Sequence, residues 1–275
     1  MSWSLRKIFT LSCAVFFALS WLTIPNHNVK QSLQPIRQED ASQKRFHLVT
    51  NLVLVTHEAY SSNLLYNKTR RPTTKELLDR QHEIDEALQV NLNHPMVVAV
   101  HVLYNHPAVG KYLQALKLKN SQKMMLHMTP RNPTVATNLD YIQNYLVDKY
   151  VALVHQDNIL GKGWEDIKFI ILRKRRIMYA LTRDTVSFDS SCDAAHSSTC
   201  HLGSKYIGSH DVFAFYSHKQ LFSSEILKEL LFIPSSNGME NVLIWLFQKK
   251  LNYKVVNPCL KLKVYHNHCV SIREK

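Results

Sequence analysis

A chain of 275 residues, 45% hydrophobic and 20% charged, is long enough for one sizeable core and too short for two, so a single globular domain with an N-terminal appendage is expected. The formal net charge of +13 favours an anionic partner, whether nucleotide, polyanion or lipid headgroup, and does not choose among them. The basic run Leu172–Arg176 comes with no recognition motif and no interleaved aromatic stripe, so it reads as a solvated helix end and no nucleic-acid partner is expected.

After Arg6 and Lys7 comes the uncharged run Ile8–Ile24, close to the lower limit for a spanning helix. Positive residues ahead of it place residues 1–7 in the cytoplasm and the rest in the lumen, as in a type II protein of the endoplasmic reticulum or Golgi membrane. Ala18-Leu19-Ser20 has the spacing of a signal-peptidase site, so a cleaved signal and a secreted product form the alternative to a retained anchor. Residues 25–45 are polar with no apolar period and read as a stem, leaving 46–275 as the folded domain. Asn67-Lys68-Thr69 is a usable glycosylation sequon, whereas Asn132-Pro133-Thr134 is blocked by its proline.

Within the domain, Leu48–Thr56 is expected to be a strand and Thr73–Asn93 a helix, with a Thr cap and Glu76 in its first turn. Strands follow at Met96–Tyr104 and Lys123–Met128, a helix at Asn138–Lys149 and a strand at Tyr150–His155. Further strands are expected at Ile177–Arg183 and Asp211–Ser217, and helices at Ser223–Leu231 and around Val242–Phe247. The alternation implies an α/β fold with a mixed, mostly parallel sheet flanked by helices, in which ligands bind beyond the carboxyl ends of the strands. Four cysteines follow the apolar run, Cys192, Cys200, Cys259 and Cys269, enough for two bridges in any of three pairings. Proximity favours Cys192 with Cys200 and Cys259 with Cys269.

Three places carry candidate chemistry. Asp157 and Asn158 follow the strand ending at His155, where a carboxylate and an amide can hold a divalent ion that bridges phosphates; turn formation is the bland alternative. His266 and His268 project from one face if Tyr265–Cys269 is a strand, and neutral imidazole suits Mn²⁺ or a similar ion, although a close pair is unsurprising among 15 histidines. Glu240 opens a helix that is apolar all round from Val242 to Phe247 and is expected to be buried, with its amino end at an interior cleft. Such a carboxylate suits proton abstraction, and equally suits a helix cap. Asp211, in a loop after Gly208, is a further candidate for binding acceptor hydroxyls.

The order of elements up to Asp157 resembles the nucleotide-sugar half of GT-A fold glycosyltransferases. Ser235–Trp245 is similar to the Gly-x-Glu-Asp helix start of many inverting members, with Glu240 at the acid and Asn241 at the second acid. Gly208–Phe215 and Asn257–Cys269 are similar to segments of GT-A-like proteins that are membrane-bound or secreted, and the resemblance spans Phe46–Arg273. It implies sugar transfer from a nucleotide-sugar donor to the hydroxyl of a glycan or glycoprotein. Glu240 would be the base, Asp157 with His266 or His268 would bind Mn²⁺ or another divalent ion, and Asp211, Asn158 and Asn241 would bind substrate. His155-Gln156-Asp157-Asn158 holds one acid where that family has two, so a non-catalytic relative that binds a glycan or nucleotide is the alternative. A secretory-pathway protein with a basic face for sulfated glycans is a third reading.

Overall fold

The computed structural model describes residues 44–56, 72–186, 200, 210–234 and 238–270. The apolar run Ile8–Ile24, the stem up to residue 43, the sequon at Asn67 and Cys192 lie outside these residues. No helix among the described residues is long and apolar enough to cross a membrane.

The strands in chain order are β1 (Phe46–Asn51), β2 (Val97–Tyr104), β3 (Met124–Met128), β4 (Lys149–Val154), β5 (Asn158–Leu160), β6 (Ile177–Thr182), β7 (Asp184–Val186), β8 (His210–Ser217), β9 (Lys254–Val256) and β10 (Val264–Asn267). The helices are α1 (Thr74–Asn93), α2 (Pro107–Ala115), α3 (Val135–Tyr145), α4 (Phe169–Lys174), α5 (Ser224–Lys228) and α6 (Met239–Lys249). Seven strands form the main sheet in the order β3-β2-β1-β4-β8-β6-β9, and three form a small sheet in the order β5-β10-β7. The expected mixed, mostly parallel sheet is present, with β8 antiparallel to both β4 and β6. β8 starts opposite Thr182, at the end of β6, so it re-enters the sheet at the edge β6 has just left and runs the other way.

The elements form where local chemistry dictates. Thr73 and Glu76 complete a capping box that satisfies the first free N–H groups of α1. Thr134 does the same for α3 with Thr137, so that helix begins at Val135, three residues before the expected start at Asn138. The expected strand Leu48–Thr56 ends at Asn51, because the last ladder bond runs from Leu52 N to Leu103 O and Val55 N turns instead to Gln81 Oε1. Helix α2 was not anticipated; Pro107 at its first position and the His106 side chain accepting from Ala108 N were its local signals.

Helices α1, α2 and α4 cover one sheet face, packing Ile84, Leu88, Leu113 and Phe169 against Phe46, Leu48 and Val100. Helices α3 and α6 cover the other, with Leu139, Leu243 and Phe247 against Val49, Leu103 and Phe215. Each such side chain contributes about 1.5–3 kcal/mol by leaving water. Helix α6 is not buried all round as expected: Val242 is 41% and Trp245 46% exposed. A helix lying over a sheet as an outer layer turns one stripe to solvent, whatever its composition.

Candidate functional site

Beyond the carboxyl end of β4 the chain turns through His155 and Gln156 to Asp157 and then forms β5. Strand β5 pairs antiparallel with β10, setting Asn158 opposite His266. Two glycines allow the approach. Gly163 has φ +92° and a Cβ there would lie 2.0 Å from Lys261 O, and a Cβ on Gly161 would strike the Tyr265 ring at 2.4 Å. Trp164 Nε1 donates to Lys263 O at 2.9 Å and holds the two segments together.

That pairing brings Asp157, His266 and His268 together. His266 Nε2 lies 2.9 Å from Asp157 Oδ2 and His268 Nδ1 3.8 Å from the same oxygen, and the two rings stack with centroids 4.9 Å apart. Their ligating atoms all fall within 4.8 Å of one another. Both ring nitrogens of His268 are buried and without a hydrogen-bond partner among the described residues.

Helix α1 supplies groups that the sequence reading missed. Arg80 Nη2 donates to Asp157 Oδ2, and Arg80 Nη1 donates to Glu83 Oε2 at 2.7 Å and to Asn267 O at 3.1 Å. Glu83 Oε1 accepts from Cys269 N and Val270 N at 2.6 and 2.8 Å. The signal was present in the sequence: Arg80 stands three residues after Leu77 and four before Ile84, within the buried stripe of α1, where an unpaired cation would be costly. Lower on the helix, Asn91 Nδ2 donates to Asn158 O and Asn91 Oδ1 accepts from Leu160 N, so α1 also fixes β5.

One guanidinium against two carboxylates leaves this buried cluster one negative charge in excess, met by a proton on an imidazole or by a bound cation. Burial alone would raise the Asp157 carboxyl, but its interactions with His266 and Arg80, including the 2.9 Å contact to His266 Nε2, hold it well below the usual carboxylate range. Burial lowers the His268 imidazole, and Arg80 and His266 add to this against the pull of Asp157. A neutral imidazole with unpartnered nitrogens beside an ionised carboxylate is a donor set suited to a borderline divalent cation such as Mn²⁺ or Zn²⁺.

The other candidates are not among the ligating atoms of this triad. Asn158 is 0% exposed, with Nδ2 donating to Asp211 O. Asp211 is buried and pairs with Arg183 Nη1 at 3.0 Å, with His155 Nδ1 at 4.0 Å, so an ion pair engages the carboxylate expected to meet acceptor hydroxyls. Glu240 is half-buried in the first turn of α6 after Gly238 in the left-handed region (φ +80°), and Asn241 beside it is exposed. The cysteine pairing favoured by proximity is overturned: Cys200 bonds to Cys259, 59 residues away. Parallel pairing of β9 with β6 carries the chain after Val256 to the carboxyl edge, where Asn257 meets Thr182 and Cys259 follows. Cys269 is also disulfide-bonded, to a residue outside those described.

No protein-family model matches the chain, and no curated protein matches it in sequence. Similar solved structures include a candidate glucose-1-phosphate thymidylyltransferase from Bacillus anthracis in complex with a sucrose, at 10% identity and TM-score 0.47, covering 82% of this chain and 92% of that one. TarS 1–349 of S. aureus matches at 11% identity and TM-score 0.41, with 81% of this chain and 60% of that one covered. The glycosyltransferase GlyE of Streptococcus pneumoniae TIGR4 matches at 13% identity and TM-score 0.39, with 78% of this chain and 45% of that one covered. At these scores the likenesses establish neither an activity nor a substrate for this chain.

Proposed function

We propose that the protein is a nucleotide-sugar-dependent glycosyltransferase whose site lies beyond the carboxyl end of β4. The observation that carries the reading is the convergence of Asp157, His266 and His268 on one buried point, with both His268 nitrogens unpartnered. A mostly parallel sheet with an acid following a strand, and the similarity of Ser235–Trp245 to an inverting-enzyme helix start, support it. In this reading Asp157, His266 and His268 hold a divalent cation, which when bound supplies charge for a departing diphosphate. Arg80 keeps Asp157 ionised and oriented. Glu240 accepts the acceptor's proton, giving inversion, and Asn241 beside it contacts substrate. The domain works in the lumen of the secretory pathway, joined to the membrane through Ile8–Ile24, with Asn67 glycosylated.

The test joins metal binding to turnover. The protein is expected to bind Mn²⁺, detected by loss of the free-ion paramagnetic signal, and to be stabilised by a nucleotide sugar only when Mn²⁺ is present. His268→Ala should lose both effects with the fold intact. Glu240→Gln should keep both while donor turnover falls by about 10²–10⁴. Mn²⁺ binding equal in the His268→Ala variant would reject the metal role, and unchanged turnover in Glu240→Gln would leave Glu240 as a helix cap.

A further inference from the structure

The edge of the main sheet opposite this site carries a concentration of positive charge that glycosyl transfer does not use. Strands β4, β6 and β9 all begin there: Lys149 is the first residue of β4, Arg176 immediately precedes β6, and Lys254 opens β9 opposite Ile177. Strand β8 ends there, with Ser217 opposite Lys149 and His218 and Lys219 following. The last turns of α4 and α6 reach the same edge, adding Arg173, Lys174, Lys249 and Lys250. On the far side of β1, Lys123 Nζ donates to Val97 O at the start of β2, close enough to Arg45 for that charge to lower its ammonium after burial has done so.

These cations gather along one edge of the sheet. Burial first, then the charge of Arg176, lower the His218 imidazole, with Asp148 acting in the opposite sense. Asp148, immediately before β4, accepts from Tyr216 OH at 3.2 Å. Lys149, Lys174, Arg175, Lys249 and Lys254 are exposed and form no ion pair among the described residues. Two guanidiniums are held in place from beneath, Arg173 over the Tyr216 ring at 5.5 Å and Arg176 over the Tyr253 ring at 4.9 Å, the latter also donating to Leu251 O. Arg176 sits at φ +46°, a left-handed position that ordinarily favours glycine or asparagine.

We propose that this edge is a binding strip for a linear sulfated or carboxylated polysaccharide. Seven strands set side by side span about 29 Å at the usual strand spacing, so the cations form a long narrow strip rather than a pocket for one anion. Helices α4 and α6 present their carboxyl ends there, so the backbone offers a small anion nothing and binding falls to side-chain forks and ammonium groups. Tyr216 and Tyr253 are buried beneath the guanidiniums and offer no face for a base to stack on. A lipid surface fits less well, because the exposed apolar residues Ile170 and Trp245 lie on α4 and α6, on opposite faces of the sheet and a turn back from the edge. The strip does not depend on any transferase activity.

Heparin is the probe. The Lys174→Glu, Arg175→Glu, Lys254→Glu triple variant is compared with Lys111→Glu, Lys162→Glu, Lys261→Glu, which makes the same charge change at exposed positions elsewhere. The edge variant is expected to lose at least roughly tenfold in heparin affinity at physiological salt, with the log–log salt dependence flattened by about 0.7–0.9 per lost contact. The control should change less than about threefold, and both should melt as the parent does. The corresponding Gln triples repeat the comparison without charge reversal. Equal losses in the two variants would overturn the proposal. So would tighter edge-dependent binding to phosphatidylserine vesicles or to duplex DNA than to heparin.

Discussion

At the scale of single residues, Arg80 decides how the site is held. Its guanidinium is about a tenth exposed and serves Asp157, Glu83 and the Asn267 carbonyl together, tying α1 to β10 and to the turn after β4. Removing it leaves two carboxylates buried without their cation. Arg80→Ala is therefore expected to cost about 3–5 kcal/mol in urea unfolding, far beyond an exposed ion pair such as Lys75 with Asp79. Excess Mn²⁺ should restore part of that loss if Asp157 and the histidines accept a cation, because metal and guanidinium neutralise the same charge. A loss below about 1 kcal/mol would show that the network orients without stabilising.

At the scale of elements, β1, β2 and α3 share a device that the sequence did not reveal. His47 Nδ1 and His101 Nε2 lie 3.0 Å apart, and His101 Nδ1 lies 2.9 Å from Tyr141 OH. The register sets His101 opposite Val49, on the face where α3 lays Tyr141 and Tyr145 beside His127 on β3. The hydrogen-bonded chain uses neutral imidazoles. Burial, with Lys149 nearby, lowers His47 to about 4; burial, with His47 and His127 nearby, lowers His101 to about 4. Both folded values lie below the unfolded 6.5, so the unfolded chain takes up more protons between these limits. Stability is then fully present above pH 6.5 and is lost as pH falls towards 4. The pair should account for a loss on the order of 3–5 kcal/mol, measured by urea unfolding at pH 7 and pH 4. His47→Gln should flatten that dependence by about half, and an unchanged profile would sink the assignment.

At the scale of the whole molecule, the Cys200–Cys259 bond joins chain that precedes β8 to chain that follows β9. A closed loop of 59 residues contributes about 4 kcal/mol in the chain-entropy account. Cys200→Ser is expected to lower stability by about that amount and to leave Cys259 as a free thiol that alkylates on mass mapping. An oxidised Cys259 in that variant would mean that it pairs with another cysteine. The triad lies beyond the carboxyl end of β4, and a row of exposed cations lies at the opposite edge. The net charge of +13 thus does not describe the candidate site, whose buried cluster has an excess of carboxylate.

The sequence by itself determined whatever rests on neighbouring residues. The capping box of Thr73 and Glu76 announces α1, the apolar run before Tyr104 announces β2, and an acid two residues past His155 announces a polar group at a strand end. Pairing was a different matter. Asp157 and His266 are 109 residues apart, and they meet because β5 pairs with β10 across glycines that let the backbones close. The direction of β8, the choice of Cys259 for Cys200 and the burial of Arg80 under Asp157 likewise depend on which strands lie side by side. Local propensity and hydrophobic period say which face of an element turns inward. What it meets there is fixed only when the whole core packs at once, because those contacts join residues with no local signal in common.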